Sequence, residues 1–233
     1  MSIRFIQANC TEGKKIDPRQ AAVVKRHKPD LILFELPSFG GNPSSPFNGY
    51  HVGEKPMVKV EQIKSRLRRE AKRIPHASSD ILVWDNIAAL WRAGHDTLLF
   101  NVDAPRDLRR EGFVNDGIVP LFRARRSREF WTKQYVRETI MARHIERIIG
   151  KYSYSKRKQL TVAVFLQSFH WRHVRFLLTH PSKERIWRYY FGRFPTLTPD
   201  EVARELKSEY PILRRYWKKY AVFGAIVPNR QVR

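Results

Sequence analysis

Seven polar or nucleophilic residues fall just past the four apolar segments of this chain that read as strands: Asn9 and Cys10, Glu35, Asn101 and Asp103, Ser168 and His170. In open α/β sheets ligands sit beyond the carboxyl ends of the strands, so these positions form the candidate site. A thiol, two carboxylates and an imidazole on one rim suit a metal centre or general acid–base work. Each also has an ordinary reading. Cys10 serves as a small apolar filler, Asp103 as a turn former ahead of Ala104-Pro105, Glu35 as a solvent-facing strand-end acid, and Ser168 as the cap of the next helix.

The elements that must position them alternate between strand and helix patterns. Ile3–Ala8 reads as a short strand. Asp17-Pro18 opens a helix, with Asp as N-cap and Pro at the first helical position, and Ala21, Val23 and Val24 give it an apolar face. Lys28-Pro29 closes it, since a residue before Pro disfavours the α region. Asp30–Leu36 is a continuous apolar run ending in an acid, the pattern of a strand buried on both faces of a parallel sheet.

Helical patterns follow at about 58–73 and 80–93, the second capped by Ser79 or Asp80 and stopped by Gly94. Thr97–Val102 reads as a third strand, followed by a short basic helix at 106–111. A long helix spans Ser127–Ile149, with Gly150 just beyond its end. Leu160–Leu166 is the strongest strand pattern and leads into another helix at Ser168. After Pro181 come aromatic-basic helices, one with a start signal at Thr198-Pro199-Asp200-Glu201.

The expected fold is α/β: a mainly parallel sheet of at least four strands flanked by helices, with a basic helical C-terminal extension. The expected division is an α/β domain at 1–180 and an aromatic-rich extension at 181–233. With too few residues for its own core, the extension should dock through Ile186, Trp187, Tyr190, Leu206 and Leu213. The segment Pro37–Pro56, rich in Gly, Pro, Ser and Asn, is long for a compact domain. Phe39, Phe47 and Tyr50 within it predict a lid over the strand-end pocket.

The order of motifs resembles the Tiki/TraB superfamily, which includes erythromycin-esterase-like and ChaN-like haem-binding proteins. "KPDLILFEL", "TLLFNVDAPRDLRREGF", "RETIMARHIERI" and "LTVAVFLQSFHW" occur in the family's order across about residues 3–178. The resemblance implies that Glu35 matches the strand-end Glu, Arg137 and Met141 the helix motif, and His170 the late His. Asn101 and Pro105-Arg106 look like the Asn-x-Pro-Arg stretch of the ChaN-like branch. Two departures stand out. Cys10 occupies the place of the first His, and no Gly precedes His170.

Read through this resemblance, the chain is a metal-dependent hydrolase with a divalent metal as cofactor. Cys10, Glu35 and His170 would be its ligands, with Glu35 or His170 as acid or base and Arg137 stabilising developing negative charge. His170, His173 and His180, three and seven residues apart without nearby carboxylates in sequence, make a poor metal box by themselves.

Charge points elsewhere. The chain carries a net charge of +23. Residues 1–122 hold 19 Lys+Arg against 14 Asp+Glu, whereas residues 123–233 hold 26 against 8. Self-repulsion of that kind costs folding free energy, so it suggests a polyanionic partner. Arg outnumbers Lys 29 to 16, which favours phosphate because the planar guanidinium binds it bidentately.

Basic residues are also interleaved with aromatics, which can stack on unpaired bases. The candidate nucleic-acid contacts are Arg123, Arg125, Arg126 and Arg128, then Lys156, Arg157 and Lys158 in a basic linker. Arg214, Arg215, Lys218 and Lys219 in the last helical pattern complete the set. The leading expectation is a nucleic-acid-associated protein, RNA or ribonucleoprotein rather than specific duplex DNA, since no helix-turn-helix, zinc-finger or RRM signature is present. The hydrolase is the alternative.

Bulk composition sets outer limits. Hydrophobic residues at 42% with 12% aromatics describe a folded domain. One cysteine excludes an internal disulfide and a cysteine-only zinc site. The opening MSIRFIQANC turns polar too soon for a secretory segment, and no run approaches membrane-spanning length, so the expected compartment is cytoplasmic.

Overall fold

The computed structural model describes residues 3–7, 18–34, 77–104, 128–153, 159–166, 168–179 and 182–194, with isolated positions at 61–69 and 198–208. Four strands are present among them: β1 (Ile3–Gln7), β2 (Leu31–Phe34), β3 (Leu98–Asn101) and β4 (Leu160–Phe165). Five helices accompany them: α1 (Pro18–His27), α2 (Ala77–Arg92), α3 (Arg128–Ser153), α4 (Ser168–Thr179) and α5 (Lys183–Phe191). The four strands form one parallel sheet in the order β1-β4-β2-β3. The expected α/β class and parallel sheet are therefore observed.

The chain folds as two compact units. One comprises residues 1–102, 148–171 and Arg233; the other comprises 103–147 and 172–232. The first holds the sheet. Leu31, Ile32, Leu33 and Phe34 are all buried, as a strand with neighbours on both edges requires. In register, Leu31 lies opposite Leu98 on one side and Val162 on the other.

Asp30 ties the starts of three strands together. Its backbone N–H donates to Thr161 O (2.9 Å) and its carbonyl accepts from Leu98 N (3.0 Å). Its carboxylate Oδ2 accepts from Thr161 N (2.8 Å). Nearby, the Thr97 hydroxyl donates to Pro29 O and Trp91 Nε1 donates to Thr97 O, both at 2.8 Å. These bonds satisfy buried backbone carbonyls that would otherwise cost about 1–3 kcal/mol each.

Helix α1 begins at Pro18, as the Asp17-Pro18 signal predicts, and buries Val24 while packing against α2. It ends through a left-handed residue, Lys28 at φ 43°, whose N–H donates to Val24 O. Helix α2 stops where Gly94 predicts. Gly94 has φ 77°, its N–H donates to Trp91 O, and His95 N–H donates to Leu90 O. This is a Schellman closure, in which a residue without a Cβ takes the left-handed position.

Two helix boundaries differ from the sequence reading. Helix α2 starts at Ala77, so Ser79 and Asp80 lie inside it rather than capping it. Helix α3 continues through Gly150 to Ser153. Ile148 and Ile149 are buried just before the glycine, and the ring of Tyr152 sits 5.4 Å from Phe100 just after it. Packing on both sides outweighs the cost of about 1 kcal/mol that an internal glycine imposes.

The second unit is built from the N-terminal part of α3, most of α4, and α5. Trp131, Tyr135, Tyr190 and Phe191 form its buried aromatic centre, with ring separations of 5.0–6.3 Å. Ile186 and Tyr190 are buried and Trp187 is half-buried; Leu206 and Leu213 lie outside the described residues. At the next helix start Thr198 and Glu201 form a reciprocal capping box. Thr198 N and Oγ1 donate to Glu201 Oε2 (both 2.8 Å), and Glu201 N donates to Thr198 Oγ1 (3.3 Å). Chiefly through the Thr198 N–H, this bonding lowers the Glu201 pKa. Among the described residues no helix is long and apolar enough to cross a membrane.

Candidate functional site

Helix α3 carries polar groups along a stretch that is otherwise buried, and they are paired across long sequence separations. Arg137 and Asp103 form one such pair in the second unit. Arg137 Nε donates to Asp103 Oδ1 (2.9 Å) and Nη2 to Oδ2 (3.2 Å), both side chains being essentially inaccessible. Oδ1 also accepts from Ala104 N (2.7 Å), the turn bond that an Asp before Ala-Pro favours. The fork-to-fork geometry joins two residues singled out separately in the sequence, one for a helix motif and one for a strand end.

One position further along the same helix, Glu138 is fully buried and is met by donors from two other helices. Tyr190 Oη donates to Oε2 at 2.6 Å. His173 Nδ1 lies 2.9 Å from Oε1 and 3.0 Å from Oε2. An ionised carboxylate only accepts, so Nδ1 carries the proton in this pairing and the lone pair of a neutral imidazole is on Nε2. Burial, followed by the Glu138 charge, raises the Tyr190 pKa well above its ordinary value.

Among the described residues, the rings of Trp131 (5.7 Å), Tyr189 (5.5 Å) and Tyr190 (5.8 Å) pack around the imidazole. A carboxylate-oriented imidazole is a component of acid–base sites. Here, with the ring 6% exposed, its evident work is to fix the aromatic side chains around it.

Tyr189 carries that order outward. It packs T-shaped against the His173 ring and stacks on Phe176 at 4.0 Å with an interplanar angle of 16°. Tyr189 and Phe176 are half-buried, and exposed Arg172 and Arg175 adjoin Phe176 on α4. Burial raises the Tyr189 pKa, and the positive charge of Arg172 opposes the rise.

On α5, Arg185 and Arg188 are exposed, the latter paired with exposed Glu184 at 3.0 Å. A surface pair of that kind contributes little to stability. Arg193 lies over the Trp131 ring, 4.1 Å from its centroid.

Of the residues expected at the strand rim, Cys10 and Glu35 lie outside the described residues, as does the Pro37–Pro56 segment expected to form a lid. His170 sits in the first turn of α4, buried, with its ring 5.5 Å from that of Phe169. Among the described residues there is no group of three or more His, Cys, Asp and Glu able to hold a metal ion. Of the expected nucleic-acid contacts, Arg128 begins α3 and is half-buried. Arg123, Arg125, Arg126, Lys156, Arg157, Lys158, Arg214, Arg215, Lys218 and Lys219 lie outside the described residues.

Sequence reasoning did not single out Glu138, Arg172 or Arg175, whereas Tyr189 falls in the aromatic-basic pattern read after Pro181. Glu138 carried a signal: it stands three residues after Tyr135 and seven after Trp131, an acid on an apolar stripe. No family model, curated protein or solved structure matches this chain.

Proposed function

We propose that this chain is a nucleic-acid-associated protein, with RNA or a ribonucleoprotein as partner, that contacts phosphate through the arginine surface of α4 and α5. The observation that carries this reading is the exposure of Arg172, Arg175, Arg185, Arg188 and Arg193. In sequence, Glu184 is the one acid between Ser168 and Arg193. The excess of positive charge in residues 123–233 extends the same field. The scaffold's motif order supports a relation to the Tiki/TraB superfamily. A hydrolase on that scaffold would depend on Cys10, Glu35 and His170, and stoichiometric zinc, manganese or iron in the purified protein would favour it.

Binding of this kind weakens linearly in log K against log salt, because each neutralised phosphate releases counterion. Anisotropy titrations of labelled RNA and DNA at several salt concentrations test it directly. Replacing Arg172, Arg175 and Arg185 with Glu should flatten the salt slope by roughly one phosphate per contact removed. Absence of binding to every RNA and DNA probe at low salt would sink the reading.

A further inference from the structure

Arginine and aromatic side chains recur at the same spacing on two neighbouring helices of the second unit. On α4, Arg172 precedes Phe176 by four residues; on α5, Arg185 precedes Tyr189 by four. Residues four apart share a helix face. Phe176 and Tyr189 then meet as a near-parallel stack, 4.0 Å apart, and both keep part of their surface in solvent.

The stack is held from beneath. Tyr189 packs T-shaped against His173, which is bonded to Glu138, which is bonded in turn by Tyr190. A partly exposed aromatic pair beside guanidinium groups is what a flexible single strand needs: a π surface for a base, with cations for the flanking phosphates. A duplex keeps its base faces stacked internally and offers that pair nothing beyond its phosphates.

We infer that the Phe176–Tyr189 pair, with Arg172, Arg175 and Arg185, is a stacking site for an unpaired base of a single-stranded nucleic acid. The inference rests on the nucleic-acid reading above and adds strand state and a named subsite. Recognition at this site is by ring face and backbone charge, so it tolerates different bases.

The test uses the full chain and labelled single-stranded polyuridine and oligodeoxythymidine probes, alongside a blunt RNA duplex of equal length. Tyr189→Leu and Phe176→Leu keep apolar bulk and remove the π face; Tyr189→Phe keeps the face and removes the phenol. Arg175→Ala serves as the charge control, and thermal melts establish that each variant folds.

The Leu variants should weaken single-strand binding about tenfold or more and leave duplex binding unchanged. Tyr189→Phe, which keeps the ring face, should lose far less single-strand affinity than Tyr189→Leu, and Arg175→Ala should weaken all probes alike. If the parent binds the probes but folded Leu variants match it on single strand and duplex, the stacking site is wrong while the broader reading stands. The stacking site is equally wrong if Tyr189→Phe weakens binding as much as Tyr189→Leu. If no probe binds the parent at low salt, the broader reading fails first.

Discussion

Glu138 and His173, 35 positions apart in the chain, meet through Nδ1 at 2.9 and 3.0 Å inside an aromatic enclosure. Tyr190 completes the arrangement from α5. Three segments of the second unit are thus joined at one buried carboxylate. Glu138→Leu leaves two buried donors without an acceptor and should cost about 2–5 kcal/mol in urea unfolding. The triple variant Glu138→Leu, His173→Leu, Tyr190→Phe should recover much of that loss, because neither of these two donors is then stranded. Strictly additive losses would show that the three do not act together.

The Arg137–Asp103 pair should behave in the same non-additive way. Removing one partner breaks a buried bidentate ion pair, so Arg137→Met and Asp103→Leu should each cost about 3–5 kcal/mol. The double variant should lie closer to the parent than either single one. A small effect of Arg137→Met on the denaturation midpoint would mean that the carboxylate finds water or another cation.

Tyr190 supplies a test against pH. Its folded pKa is raised, by burial first and the Glu138 charge second. Its contribution to stability is therefore fully present below the ordinary phenol value of about 10 and is lost as pH rises through the raised folded value. In a near-ultraviolet titration of the nine tyrosines, one phenol should ionise only as the protein unfolds. Tyr190→Phe should remove that late step, and a late step that persists in the variant would assign it elsewhere.

Two glycines should respond in opposite directions to alanine. A Cβ at Gly94 meets nothing within 4 Å, but φ is 77°, so Gly94→Ala should destabilise by about 1 kcal/mol through backbone strain alone. Gly150 is also open to a Cβ but lies within α3 without a positive φ. Gly150→Ala should stabilise by about 0.4–1 kcal/mol. Calorimetric melts of the two variants shifting the same way would contradict this assignment.

What the sequence made legible was local. Leu31–Phe34 is an uninterrupted apolar run and Leu160–Phe165 one broken only by Thr161, the pattern of strands covered on both faces, and both are strands. Gly94 ends its helix because the left-handed position favours a residue without a Cβ. Gly150 carries the same residue type, but tertiary packing of Ile148, Ile149 and Tyr152 decides in favour of the helix. Asp103 and Arg137 were each visible as chemically capable residues, yet their union depends on a fold that spans 34 positions. Likewise His173 shows no carboxylate near it in sequence, because Glu138 arrives from another helix. Periodicity reports which face a residue occupies; it does not report what occupies the facing element.

The order β1-β4-β2-β3 also sets a schedule for synthesis. The strand that completes the middle of the sheet is the last to emerge, and Asp30 waits for Thr161 across 131 positions. Until Leu160 leaves the ribosome, β1 has no partner and one side of β2 presents open backbone. Closing so long a loop is slow, and unpaired strand edges invite association with other chains. Between the emergence of β1 and that of β4, a nascent chain of this protein therefore holds β1 and one edge of β2 unjoined, which is the interval in which a chaperone would have most to protect.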